Sequence, residues 1–213
     1  MARGQFITFE GGEGAGKSTQ ALRLGAWLNA RNIDVLLTRE PGGSPGAEAV
    51  RQLLVTGDAG RWNPLTETLL HFAARHDHVL RSIEPALAAG RWVACDRFVD
   101  STIAYQGYGL GVDRAFIAML EKSVLGDLRP DLTLILDLPV ETGLARAAFR
   151  RGGEDRYETM DADFHARLRH GFHEIAARDP ERCVLIDAAE DVDAVHRRVV
   201  AAVETRLIAA AAR

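Results

Sequence analysis

Cysteine is nearly absent: Cys95 and Cys183 are the only two in 213 residues. Neither belongs to a Cys-x-x-Cys pair, which argues against a disulfide framework and against a zinc site. Reduced thiols in a cytoplasmic protein are the simplest expectation. Long apolar runs are missing too. None approaches the roughly 20 residues that span a bilayer, and residues 6–9 are too short for a signal-peptide core. There is no internal repeat, Ser/Pro-rich linker or low-complexity block apart from an Ala-rich C-terminal end. The chain therefore reads as one domain over residues 1–213. Excess positive charge is lacking as well. The formal net charge is −4, so neither nucleic acid nor a membrane surface is an expected partner, and any bound anion must be held locally. No Asn-Lys pair occurs, which removes the guanine motif of a GTP switch. The seven histidines show no metal spacing. Lysine is rare: among 26 basic residues only Lys17 and Lys122 are lysines. Codon usage explains the arginine bias, and a lysine at 17 then needs its own explanation.

What is present is a soluble globular composition, 47% apolar and 26% charged. Short apolar, β-branched runs at 5–10, 33–38, 92–96, 132–137 and 183–187 alternate with longer helical patterns. Near-continuous apolar strands are those of a parallel sheet covered on both faces. The expectation is an α/β fold: a P-loop NTPase-type parallel five-stranded sheet with helices on both faces, three layers in all. Ligands in such folds sit beyond the carboxyl ends of the strands. Most strand ends here are polar or charged: Glu10, Arg39 and Glu40, Asp96 and Arg97, Asp137 and Asp187.

Gly11-Gly12-Glu13-Gly14-Ala15-Gly16-Lys17-Ser18 fits G-x-x-x-x-G-K-[ST] directly after the first strand and at the start of the first helix. Glycines let successive backbone N–H groups turn inward around phosphate oxygens, and the helix N-terminus adds partial positive charge. Lys17 is expected to reach the β- and γ-phosphates, and the Ser18 hydroxyl to hold Mg²⁺. The plain alternative is a Gly-rich turn with a surface lysine. Motors, switches and kinases share this loop, so it implies nucleoside triphosphate binding and no more.

A kinase needs further cations for its acceptor. Arg39 and Arg97 follow the second and third strands, and Arg75 lies in the helical pattern 65–87. Guanidinium forks suit phosphate or base edges. Each could equally be a solvated arginine. Asp96 ends its strand where an acid can bond the Mg²⁺ shell, or can cap the next helix, or both. Within 65–87, Leu65, Leu69, Phe72, His76, Val79 and Ile83 recur at helical spacing and predict the buried stripe. His71 and Arg75, one turn apart, then share another face.

These segments together resemble the bacterial thymidylate kinase family over nearly the full length. The resemblance rests on Phe9-Glu10-Gly11 with the P-loop, on Thr38-Arg39-Glu40-Pro41-Gly42-Gly43, and on Phe72-Ala73-Ala74-Arg75. Asp96-Arg97-Phe98, Ala104-Tyr105-Gln106-Gly107 and Leu128-Arg129-Pro130-Asp131-Leu132 extend it. It implies transfer of the γ-phosphate of ATP to dTMP with Mg²⁺, for dTTP synthesis, by a homodimer. By resemblance, Gly11 to Ser18 and Thr19 bind ATP, and Ser18 and Asp96 serve the metal. Arg39 and Arg97 hold the dTMP phosphate. Arg75 bonds the thymine ring, with Ser101, Thr102 and Gln106 near the base. Tyr105 lies under the sugar, and Glu13 bonds its 3′-hydroxyl. The family usually stacks an aromatic residue on thymine four positions before the base-binding arginine. That position is His71 here, followed by Phe72, and both are candidates to contact the base; the helical pattern favours Phe72 in the core and His71 at the base.

Arg146, Arg150, Arg151 and Arg156 cluster around Gly152-Gly153. The resemblance implies a lid at about 146–158 whose arginines supply the charge that this P-loop, lacking Arg, does not. Arg156 is the first choice for that role, with Arg150 or Arg151 next; a solvated, charge-mixed loop is the alternative. Asp187-Ala188-Ala189 either borders adenine or is an ordinary strand-to-helix turn. Two rivals stand: a kinase for another small acceptor, such as a deoxynucleoside, and a P-loop regulatory module that hydrolyses ATP slowly.

Overall fold

The structure, a computed structural model, describes residues 3–57, 60–148 and 156–209. Five strands form one parallel sheet: β1 (Phe6–Glu10), β2 (Val35–Arg39), β3 (Trp92–Asp96), β4 (Leu132–Asp137) and β5 (Cys183–Asp187). Their spatial order is β2-β3-β1-β4-β5. β3, β4 and β5 have the predicted bounds; β1 and β2 begin one and two residues later than predicted, and β2 runs on to Arg39. In register, Arg39 lies beside Asp96 and Asp137 beside Asp187, so the charged strand ends gather along one edge.

Side chains alternate across β1. Ile7 and Phe9 pack with Leu24 and Leu28 of α1 (Lys17–Asn29) and with Val195 and Val199 of α9 (Val192–Val203). Phe6 points the other way, into a cluster with Phe72, Ile83, Phe98 and Ile117. Phe72 comes from α3 (Pro64–His78), Ile83 from the π-helical turn Val79–Ile83 between α3 and α4 (Glu84–Ala88), Phe98 from the turn between β3 and α5 (Val99–Thr102), and Ile117 from α6 (Arg114–Leu125). A third cluster sets Phe164, Leu168 and Phe172 of α8 (Ala162–Arg178) against Ile135 and Tyr105. The three layers expected for the fold are present.

The helix starts follow from local chemistry. Ser44 accepts from Ala47 N at the head of α2 (Pro45–Val55), and Asn63 accepts from Leu65 N at the head of α3. Both helices place proline in the first turn, where no N–H partner is lost. The buried face of α3 differs from the predicted stripe. Phe72, Val79 and Ile83 are buried, whereas Leu65 and Leu69 are 45% and 46% exposed and His76 is exposed. The polar residues Glu67, Thr68, Arg75 and His78 occupy the inner face instead. Hydrophobicity alone misassigns this helix because its inner face borders a polar cleft.

Candidate active site

The cleft lies at the carboxyl ends of β1, β2 and β3 and encloses about 850 Å³, a size that suits small-molecule ligands. One wall is the P-loop between β1 and α1. Gly16 has φ 90°, and Gly14 has φ 67° with its Cα so near α7 (Val140–Ala148) that a Cβ would stand 2.0 Å from Gly143 O. Only glycine tolerates both. Glu13, Gly14, Ala15, Gly16, Lys17 and Ser18 line the cleft. Gly11 and Gly12 face a smaller cavity behind the loop, and Thr19 is exposed outside the cleft lining. Lys17 Nζ donates to Gly11 O (3.1 Å) and Gly12 O (2.7 Å). Burial, helped by Arg97, lowers its ammonium to about 8.

Ser18 Oγ donates to Asp96 Oδ2 at the foot of the cleft. A hydroxyl and a carboxylate side by side form a hard oxygen donor set, which fits Mg²⁺. Arg97 follows Asp96 in a left-handed conformation (φ 69°), costly for a side-chain-bearing residue at about 1–3 kcal/mol. Its neighbours hold it there. Arg97 N donates to Phe9 O (2.9 Å), Phe98 N to Glu10 Oε1 (2.7 Å), and Ser101 Oγ to Glu10 Oε2 (2.5 Å). Burial and nearby Asp100 raise the Glu10 carboxyl to about 7. The Arg97 guanidinium then reaches Glu13 Oε1 (2.9 Å), which also accepts from the Tyr105 hydroxyl. Arg97 lies 4.8 Å over the Tyr105 ring. Across the cleft, half-exposed Arg39 pairs with Glu48 at 3.1 Å.

The far end is drier. Arg75 is 2% exposed. Its Nε donates to Glu40 Oε2 (2.7 Å), and its Nη2 to Phe98 O (3.1 Å) and Thr102 Oγ1 (3.0 Å). Its Nη1 is buried and has no hydrogen-bond partner among the described residues. Glu40 Oε1 lies 3.0 Å from His78 Nδ1, which completes the arginine's support. Ser101, Thr102, Tyr105, Gln106 and His71 all line this end. Burial, with Arg75 and Arg156 nearby, pushes His71 down to about 3, so its ring is neutral. Phe72, named with His71 for the base, is instead 2% exposed in the core beside Phe6; one helix step of about 100° separates the two faces.

The arginines of the 146–158 region part company. Arg150 and Arg151 lie outside the described residues. Arg146 donates to Ala188 O and Ala189 O after β5, where Ala189 N bonds Asp187 Oδ1 in a tight turn. Arg156, expected at the transferred phosphate, is not in the cleft lining. It is buried, donating Nη1 to Leu54 O (3.1 Å) and Nη2 to Glu67. It pairs with a carboxylate inside the protein instead of facing the cleft.

Several lining residues were not anticipated: Glu40, Pro41, Arg51, Val55, Phe98, Tyr157 and Glu158. Glu40 and Pro41 sat inside a motif already singled out. Arg51 sits in an amphipathic helix with nothing in its spacing to separate it from a solvated arginine.

A P-loop on β1, an acid–hydroxyl pair beside it and arginines at the ends of β2 and β3 together define a P-loop nucleotide kinase with separate donor and acceptor ends. The profile of one such family, thymidylate kinase, matches residues 9–199. Thymidylate kinase of Caulobacter vibrioides is 58% identical over 207 residues, covering 97% of this chain and 99% of that one. That of Bradyrhizobium diazoefficiens is 55% identical over 208 residues, covering 97% and 91%. A crystal structure of thymidylate kinase from Ehrlichia chaffeensis superposes with a TM-score of 0.78 at 37% identity, covering 94% of this chain and 99% of that one. The chain belongs to the thymidylate kinase family.

Proposed function

We propose that this chain moves the γ-phosphate of ATP onto the phosphate of dTMP, giving ADP and dTDP for dTTP synthesis. One observation carries the acceptor side of this reading. Arg75, buried at the end of the cleft, keeps one guanidinium nitrogen without an acceptor, and a thymine carbonyl supplies one. An unmet buried donor costs about 1–3 kcal/mol, so a ligand that meets it gains by as much.

The transfer needs little covalent help from protein, because the dTMP phosphate is already a dianion near neutral pH. Positioning and charge neutralisation do the work. ATP lies along the P-loop, with Lys17 released from Gly11 O and Gly12 O to the phosphates. Arg39 and Arg97 hold the acceptor phosphate, with Arg51 beside them on the cleft wall. Glu13 turns to the sugar 3′-hydroxyl over Tyr105. Ser18 and Asp96 would hold Mg²⁺, which would supply charge neutralisation at the donor phosphates. Arg150 and Arg151 are retained as candidates for the transferred phosphate. The single five-stranded sheet supports one catalytic unit over residues 1–213.

Leu65, Leu69, His76 and Leu80 leave an exposed, largely apolar face along α3 and its continuation; this supports a homodimer, which light scattering tests. No helix among the described residues is long and apolar enough to cross a membrane. Two buried free thiols support a reducing, cytoplasmic setting.

The test is product analysis after mixing protein, ATP, Mg²⁺ and dTMP. Equal amounts of ADP and dTDP are expected. ADP without dTDP would replace the kinase by a slow ATP-hydrolysing module.

A further inference from the structure

Glu67 lies on the inner face of α3, 1% exposed. As a carboxylate paired with the Arg156 guanidinium, it can only accept hydrogen bonds. Its Oε2 takes Arg156 Nη2. Its Oε1 takes the Tyr157 hydroxyl at 2.6 Å and Gln106 Nε2 at 2.8 Å. The direction of every further proton follows. The Tyr157 hydroxyl has spent its hydrogen on Glu67, so its oxygen accepts from Gln106 Nε2 (3.1 Å) and from His71 Nε2 (3.2 Å). The reversed Gln106 amide would set its oxygen against a carboxylate oxygen, a repulsive contact. Gln106 Oε1 is thus the end left over, and it accepts no hydrogen bond among the described residues.

We propose that Glu67 is a positioning residue that sets the acceptor base preference, by fixing the Gln106 amide so that its oxygen faces the cleft. This rests on the dTMP reading. The Arg75 guanidinium offers donors at the same end of the cleft. A donor next to an acceptor matches a pyrimidine with a carbonyl at C4 and a hydrogen on N3, as in thymine and uracil. Cytosine presents the reverse, an amino group at C4 and a bare N3, and meets a donor with a donor. Arg156 then serves to hold the Glu67 side chain in place from the segment beyond the cleft.

The test compares kcat/KM for dTMP and for dCMP in the wild type and in Glu67→Gln. Glutamine keeps the shape but can donate as well as accept, so the Gln106 amide is free to turn. The dTMP to dCMP ratio should fall roughly tenfold or more, while KM for ATP stays unchanged. An unfolding scan separates this from loss of structure. If Glu67→Gln does not fold, the double variant Glu67→Gln with Arg156→Met removes both buried charges together and carries the same expectation. A ratio equal to the wild type in either folded variant overturns the proposal. A wild type inactive on dTMP overturns the functional reading and this inference with it; an active wild type with an unchanged variant overturns this inference alone.

Discussion

The two ends of the cleft are built on different principles. At the phosphate end, recognition comes from backbone and strand ends: glycines in a turn, a helix N-terminus, and charges that emerge directly from β1, β2 and β3. One of these charges, Arg39, pairs with Glu48 near solvent. At the base end, recognition comes from side chains nested inside the protein. Arg75 is held by Glu40, Glu40 by His78, and Gln106 by Glu67, all of them buried. Diffuse charge on a transferring phosphoryl group tolerates point-like cations, whereas a base edge must be read by donors and acceptors in fixed directions. Directional groups need supports, and supports inside a protein must be fully hydrogen-bonded.

The contrast predicts where damage will fall. Lys17→Ala should lower kcat/KM by roughly 10²–10³-fold and leave the melting temperature nearly unchanged, because losing its bonds to Gly11 O and Gly12 O is offset by removing the desolvation cost of a buried ammonium. A large loss of stability with modest loss of rate would reverse the assignment. Arg75→Ala should do the opposite in kind. It leaves Glu40 buried without its cation, a loss of about 3–5 kcal/mol, visible in denaturant unfolding, together with a raised KM for dTMP at unchanged KM for ATP.

The pH dependence should also divide the ends. Lys17 is held down to about 8 by burial and Arg97. Its ammonium is full at pH 7 and disappears as pH rises through 8, so kcat/KM for ATP should decline above that value; kcat/KM reports the free enzyme. An ATP profile flat to pH 9.5 would remove Lys17 from that role. His71, pushed to about 3 by burial and Arg75, should add no inflection between pH 5 and 9. The smallest effect is expected at this same residue. His71→Phe offers the base a larger apolar face, worth about 0.5–1.5 kcal/mol, so KM for dTMP should fall several-fold; a rise would give priority to the imidazole bond with Tyr157.

How far each end could be read in the sequence follows the same division. The P-loop, Asp96, Arg39 and Arg97 lie in contiguous motifs at strand ends, and three of the five strands have the predicted bounds, because apolar runs in a covered parallel sheet carry a strong local signal. Helical spacing also favoured Phe72 in the core, where it is 2% exposed. The misreadings lie where burial is polar. The inner face of α3 carries Glu67, Thr68, Arg75 and His78, so a hydrophobic pattern placed Leu65 and Leu69 inside. Arg156 read as a lid arginine because its partner, Glu67, lies 89 residues away. Glu67 itself had no motif. Such pairings exist only once α3 and the chain near 156 have been brought together, and no local spacing encodes them.

One measurement tests the account most directly: ADP release from ATP and Mg²⁺ with dTMP, dUMP, the ribose form of TMP, dCMP, dGMP and thymidine supplied separately. The account predicts fast turnover with dTMP, little with dCMP, dGMP or the ribose form, and little with thymidine, which has no phosphate for Arg39 and Arg97. Equal turnover with thymidine, or a preference for dCMP or dGMP, would contradict it.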